Sequence, residues 1–215
     1  MAGIWAHEPG ANSVDFPAPW EEGGLTKFNG HPALILGGSS SIGQYGETDP
    51  SCRTDRLLKS INFRTAIQLA KLQGFSPIIT TSSLKHAEYL KSIGATHVLD
   101  RSLSPEAIST EIPKLTGGKP ITYAYDAIAD ETTQHIAYDA LAADGSLVVS
   151  HPRSQAILET KVKRDGGAKK VAYPVGALQV PGNEKLGVEL YAMLEEWLRS
   201  GVLVVSSGKT RCPGT

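Results

Sequence analysis

Cysteine is scarce in this chain, with only Cys52 and Cys212 among 215 residues. Two thiols so far apart build no disulfide framework, and their scarcity predicts an intracellular, cytoplasmic protein. No apolar run is long enough to cross a bilayer. The opening residues, MAGIWAHEPG, lack the basic and apolar regions of a secretory signal. Neither sign of charge is in excess: 21 basic and 22 acidic residues leave a net charge of −1. That balance predicts neither nucleic acid nor a membrane as a partner. The six histidines, His7, His31, His86, His97, His135 and His151, are scattered and form no zinc-ligand spacing with the cysteines, so no metal is expected.

Several chemical motifs are missing as well. Gln44 and Tyr45 follow Gly43, where a P-loop requires Lys-Ser/Thr. No G-x-S-x-G marks a nucleophile elbow. No tyrosine is followed four residues later by lysine, so the Tyr/Lys pair of short-chain dehydrogenases is absent.

What remains is a chain with 40 % apolar and 20 % charged residues, enough for one domain with a sizeable core. Residues 1–32 carry scattered Pro and Gly without a period and read as irregular. From residue 33 to residue 204, strands and helices alternate. ALILGG (33–38) reads as a buried strand ended by glycines, TAIQLAKLQGF (65–75) as an amphipathic helix, and SPIITTSS (76–83) as a β-branched strand. LKHAEYLKSIGA (84–95) is a helix stopped at Gly94, and THVLD (96–100) a strand. Ser104 caps a helix with Pro105 in its first turn, which Pro113 is expected to end. Strands at 121–128, 145–151 and 168–178 and helices at 131–142 and 183–201 complete the alternation, with VLVV (202–205) as a further strand. The last helix presents Leu186, Leu190, Met193, Leu194, Trp197 and Leu198 at helical spacing. The pattern predicts an α/β fold with a doubly wound, mostly parallel sheet, a Rossmann domain.

In such folds the Gly-rich turn after the first strand accepts a pyrophosphate on free backbone N–H groups and a helix N-terminus. Here that turn is GGSSSIG, with Gly37, Gly38 and Gly43 as small positions and Ser39, Ser40 and Ser41 as hydroxyl donors. Ser41 replaces the middle glycine of the strict motif, and a ligand-free tight turn is the alternative. The end of the second strand has Thr81, Ser82, Ser83 and Lys85 in place of an acid, and Arg101 follows the third strand. Hydroxyls and cations there favour a ribose 2′-phosphate, hence NADP(H) over NAD(H). The alternative is that Lys85 and Arg101 are ordinary solvated charges. Tyr123, Tyr125 and Asp126 lie on a strand whose end faces the cofactor side, with core packing the simpler role for the tyrosines; no catalytic residue is nominated.

FPAPWEEGGLTKFNGHPALILGGSSSIGQ, AIQLAKLQGFSPIITTSSLKHAEYLKSIGATHVLDRS and NEKLGVELYAMLEEWLRSG resemble the fungal branch of the medium-chain dehydrogenase/reductase superfamily. The likeness is greatest to its zinc-independent quinone-oxidoreductase and trans-acting enoyl-reductase proteins. The resemblance implies a GroES-like catalytic domain beside the Rossmann domain, with NADPH between them. It places Ser40, Ser41, Ile42 and Gly43 at the pyrophosphate, with Gly38 in the same turn. Ser83, Lys85 and Arg101 fall around the 2′-phosphate. It implies hydride transfer to an activated C=C or a quinone. The partners expected are a small carbonyl or quinone substrate and, through an apolar face left bare, a homo-oligomer.

The chain departs from this pattern in two ways. Most of the catalytic domain is not represented in residues 1–32. Residues 45–64, YGETDPSCRTDRLLKSINFR, also interrupt the strand–turn–helix text, and 205–215 continue beyond the family-like text. Codons for Gln44–Gly46 and Phe63–Arg64 can carry splice donor and acceptor signals in one phase, and those for Val205-Ser206 a second donor. Both segments therefore read as retained introns, with a genuine loop and tail as the alternative. The interruption predicts mobility over 46–56, short helical turns within 54–63, and weakened cofactor binding. An inactive dinucleotide-binding fragment is accordingly the second functional reading.

Overall fold

The computed structural model describes residues 2–5, 12–37, 64–150, 155–174 and 183–204. A helical turn, α1 (Ala2–Trp5), precedes strand β1 (Ala33–Leu36), and helical residues 64–72 form α2. Then come β2 (Ile78–Ser82), a 3-10 turn at Leu84–His86, α3 (Ala87–Ser92), β3 (His97–Asp100) and α4 (Pro105–Leu115). The second half contains β4 (Ile121–Asp126), α5 (Glu131–Ala140), β5 (Leu141–Val149), α6 (Gln155–Arg164), β6 (Lys170–Ala172) and α7 (Glu184–Ser200).

The six strands form one sheet in the order β3-β2-β1-β4-β5-β6, and every pairing is parallel. Parallel sheets need cover on both faces, and the residues of β1 supply it in alternation. Ala33 and Ile35 join one core with α2, Leu90 of α3, and Leu186 and Trp197 of α7. Leu34 and Leu36 join the other with Ile108 and Ile112 of α4, Ile136 of α5 and Leu158 of α6.

Residues 12–30 have no period, yet they belong to the first core. Val14, Phe16, Ala18 and Phe28 are buried, as is Trp5 of α1. Phe16 lies 4.4 Å from Phe28 and 5.6 Å from Tyr123, ring centre to ring centre, and Phe28 stacks on Phe75 at 4.7 Å. The three tryptophans form a chain, Trp5 to Trp20 at 5.5 Å and Trp20 to Trp197 at 6.0 Å. Buried Gln73, just after α2, accepts from Trp5 Nε1 at 3.3 Å and donates to the Pro17 carbonyl at 2.9 Å.

Several sequence expectations need correction. Pro113 does not end α4, which runs to Leu115. Ile112 is buried against the sheet-side core, and the amides of Thr116 and Gly118 cap the carbonyls of Ile112 and Pro113. Ser104 does cap this helix, accepting from the Ala107 amide at 3.2 Å. Strand β5 starts at Leu141, because an irregularity lets Ile121 pair with Leu141 and Tyr123 with Ser146. Gly145 permits it: a Cβ there would lie 3.0 Å from the Ile121 carbonyl oxygen. Helix α6 was not anticipated, since its segment is polar. Residues 202–204 form no strand. Instead Gln68 of α2 clasps Val204, accepting from its amide at 2.6 Å and donating to its carbonyl at 3.3 Å.

Phe16 therefore carries core energy despite its irregular backbone. Phe16→Ala is expected to lower unfolding free energy by about 3 kcal/mol in urea titration. Leu25→Ala, at a side chain left 47 % exposed, should change it by less than about 0.5 kcal/mol.

Candidate functional site

A parallel sheet offers its ligand crevice at the carboxyl ends of the strands, where the order reverses. Here that place is the gap between β1 and β4. A row of hydrogen bonds ties the strand ends together along this rim. The Arg101 amide donates to the Ser82 carbonyl at 3.0 Å, the Ala127 amide to Leu36 at 3.2 Å, and the Ser150 amide to Asp126 at 2.9 Å. Gly37 leaves β1 with φ of +90°, a value that suits a residue without Cβ, and its amide donates to Thr81 Oγ1 at 3.0 Å.

Gly38, Ser40, Ser41, Ile42 and Gly43, the expected pyrophosphate contacts, lie outside the described residues, as do 45–63 and 205–215. The expected 2′-phosphate residues are described. Ser83 is half-buried and precedes the 3-10 turn, where its carbonyl accepts from the His86 amide at 3.0 Å. Lys85 in that turn and Arg101 after β3 are both exposed. Thr81 and Ser82 serve structure instead: both are buried, Thr81 holds Gly37, and the Ser82 hydroxyl donates to the Ser83 carbonyl.

Lys85 and Arg101 act on a common neighbour. Burial first, then the charges of Lys85, Arg64 and Arg101, hold His86 below the ordinary histidine pKa. Four cationic or potentially cationic side chains thus gather beyond β2 and β3. Sequence reasoning missed two of them. It read His86 as one of six scattered histidines, and Arg64 as the last residue of the interruption. Arg64 belongs to α2, and its guanidinium lies 5.0 Å from the Tyr89 ring centre. Asp100, at the end of β3, is engaged by its own turn. Hydrogen bonds from Ser102, including its amide to Oδ1 at 2.9 Å, keep that carboxyl below the usual range.

Across the gap, Tyr123 and Tyr125 are buried. Burial drives the Tyr123 hydroxyl well above its ordinary pKa and Tyr125 up to about 12, so both stay protonated at neutral pH. Asp126 is fully buried at the end of β4. Its Oδ1 accepts from the amides of Ile128 at 2.9 Å and Ala129 at 3.0 Å, and Oδ2 accepts from Thr133 Oγ1 at 2.8 Å. Burial pushes its pKa up to about 6 against the pull of these three donors.

The remaining described histidines have local partners. His31 meets Thr122 at 3.2 Å, His97 meets Thr96 at 2.9 Å, and His135 lies 3.9 Å from Glu131. Among the described residues no group of three or more His, Cys, Asp or Glu could hold a metal ion, and no helix is long and apolar enough to cross a membrane.

An all-parallel sheet in this order, with its switch point between β1 and β4, defines a doubly wound Rossmann domain. Residues 64–153 match the family model described as zinc-binding dehydrogenase. The trans-enoyl reductase eqxC of Fusarium heterosporum is 34 % identical over 131 residues, covering 60 % of this chain and 30 % of that protein. The trans-enoyl reductase grgB of a Penicillium species is 26 % identical over 197 residues, covering 86 % and 49 %. The chain therefore spans at most about half the length of these curated relatives. Among solved structures, a mycobacterial protein complexed with NADPH superposes with TM-score 0.58 at 20 % identity, over 93 % of this chain and 58 % of its own. Escherichia coli quinone oxidoreductase complexed with NADPH gives 0.59 at 21 %, over 92 % and 57 %. Over the part that these matches cover, the chain is similar to zinc-binding dehydrogenases and to trans-enoyl reductases.

The buried Asp126 has a measurable signature. Its folded-state pKa lies above the unfolded one, so the folded state binds its proton more tightly and stability falls as pH rises from about 4 through about 6. Relative to Asp126→Asn, the wild type is expected to lose about 2 kcal/mol of unfolding free energy between pH 4 and pH 7. Denaturant titrations of both proteins across that range measure it; parallel curves would show that Asp126 does not titrate there.

Proposed function

We propose that this chain binds NADP(H) and is an oxidoreductase of the medium-chain quinone/enoyl-reductase type, acting on an activated C=C or a quinone. The observation that carries the reading is the gathering of Lys85, Arg101, Arg64 and His86 beyond the ends of β2 and β3, with no acid from Thr81 to Ser83. That donor set fits a 2′-phosphate: Lys85 and Arg101 supply charge-assisted hydrogen bonds, and Ser83 a hydroxyl. The NADPH complexes of the two solved neighbours support the same cofactor. By family resemblance Gly38, Ser40, Ser41, Ile42 and Gly43 would hold the pyrophosphate.

When bound, the cofactor supplies the hydride, and the protein's part is to bind and orient it. The tie from Gly37 to Thr81 fixes where the turn leaves β1. The tie from Ala127 to Leu36 fixes the opposite wall of the gap. Tyr123 and Tyr125 are buried and stay protonated at neutral pH, so neither serves as a resting base.

If the cations read the 2′-phosphate, Lys85→Ala and Arg101→Ala should each weaken NADPH binding about tenfold in calorimetric titration. NADH binding should change less than about twofold. Equal losses for both cofactors would remove the assignment.

One observation favours the second reading, a dinucleotide-binding chain without turnover. The family match begins at residue 64, so residues 37–63 separate β1 from the text that matches. Because Arg64 belongs to α2, a shortened chain should join Gln44 to Arg64. We expect that chain to bind NADPH at least about tenfold more tightly than the natural one. NADPH oxidation with phenanthrenequinone then decides turnover: activity in the natural chain supports the enzyme reading, and silence in both supports the fragment.

A further inference from the structure

The hydride chemistry proposed above makes no use of Asp126, yet the fold commits much to this side chain. A carboxyl group is costly to bury, and three donors are dedicated to it. Its bonds to Ile128 and Ala129 bend the chain back on itself directly after β4. Ala129 is thereby held at φ of +61°, which a residue with a Cβ seldom adopts. From α5, Gln134 Nε2 donates to the Ala129 carbonyl at 3.2 Å, while Asp130 Oδ1 accepts from the Thr133 amide at 2.7 Å. With the Ala127 amide on Leu36, every amide from Ala127 to Ala129 is committed to the rim. The corresponding connection after β3 is lighter. There Asp100 holds only its own exposed turn through Ser102, and no residue is forced to positive φ.

The position explains the difference. The cationic cluster lies beyond β2 and β3, in one mononucleotide half of the fold, so the second nucleotide of a dinucleotide falls toward β4 and β5. The segment 127–130 is the first wall it meets across the gap. We propose that Asp126 is a positioning residue for that second half: with Thr133 it holds 127–130 in a strained, preformed wall that the nicotinamide nucleotide packs against. This rests on the NADP(H) reading above. Preformed geometry avoids an ordering cost at binding, and a strained turn persists only where its surroundings over-determine it. The amide of an Asn can do the same work. Its oxygen keeps both backbone bonds, and its NH2 can donate to Thr133 Oγ1, whose hydroxyl then turns to the Asp130 carbonyl, already 3.3 Å away.

The test compares NADPH with adenosine 2′,5′-bisphosphate, which carries the phosphate but no nicotinamide nucleotide. Wild type, Asp126→Asn and Asp126→Ala are titrated with both where circular dichroism shows each folded. We expect Asp126→Ala to bind NADPH about tenfold more weakly, Asp126→Asn to stay within about twofold, and all three to bind the bisphosphate alike. An alanine variant that loses both ligands equally, or neither, overturns the proposal, as does an asparagine variant as weak as alanine. Should Asp126→Ala not fold, Thr133→Val takes its place, with a loss of NADPH but not bisphosphate affinity expected and an unchanged ratio overturning it. A wild type that binds neither ligand removes the NADP(H) reading and this proposal with it. Binding of both with an unchanged ratio removes this proposal alone.

Discussion

Everything at the rim depends on the last peptide of β1. Leu36 offers its carbonyl to Ala127, and Gly37 offers its amide to Thr81, so one peptide unit is tied to β4 on one side and β2 on the other. Four residues suffice for this strand because it is paired along both edges and buried on both faces. A register slip of one residue would send Leu34 and Leu36 to the α2 side and take Gly37 from the position after β1 where positive φ is needed. The site therefore inherits its geometry from the ladder, and the ladder from the alternation Ala33, Leu34, Ile35, Leu36. Gly37 is where the regular backbone of β1 ends.

The neighbouring helix is fixed by side chains rather than by the ladder. Gln68 within α2 and Gln73 just after it hold distant parts of the chain. Gln68 binds both backbone groups of Val204, and Gln73 bridges Trp5 and Pro17. Both amides are buried, so an unmade bond would cost more than a made one contributes, and the clasp is set by that asymmetry. Trp20 adds a bond to Glu189 of α7 at 3.1 Å. Segments from both ends of the described chain thus converge on α2. Damage to Trp5, Phe16 or Leu203 reaches the crevice through α2, without any of them approaching a ligand.

This division explains what could be read from the sequence. Elements governed by local chemistry were readable: the β1 alternation, the Ser104–Pro105 helix start, the α7 stripe ending in Trp197. Elements governed by distant partners were not. Phe16 and Trp20 show no period because their neighbours, Tyr123 and Trp197, lie more than a hundred residues away. Helix α6 was missed because Leu158 is its one fully buried side chain, too little for a stripe. Pro113 misled because a proline near a helix end removes one bond, and burial of Ile112 outweighs that loss. Beyond β2 and β3, the sequence singled out Lys85 and Arg101 by position after their strands. It could not identify His86 and Arg64, whose membership is a matter of proximity across α2, the 3-10 turn and β3. Asp126 was noticed, but not its hold on Ile128, Ala129 and Thr133, which lie two, three and seven residues further on.

On the proposed NADP(H) reading, selectivity for a phosphorylated ribose need not come chiefly from attraction. Lys85 and Arg101 are exposed, and an exposed cation acts through water and salt that screen it within about 8 Å at physiological ionic strength. Each keeps much of its hydration and contributes modestly. Discrimination is sharper where a group is absent. An acid at the end of β2 would bind a free ribose diol and repel a 2′-phosphate. With Thr81 and Ser82 turned inward to the sheet and only Ser83 left at the rim, the diol loses its strong acceptor and the phosphate loses its repulsion. The cations then decide between two ligands that the missing carboxylate has already separated. His86 lies beside these cations: burial first, then the charges of Lys85, Arg64 and Arg101, lower its pKa and favour its neutral form.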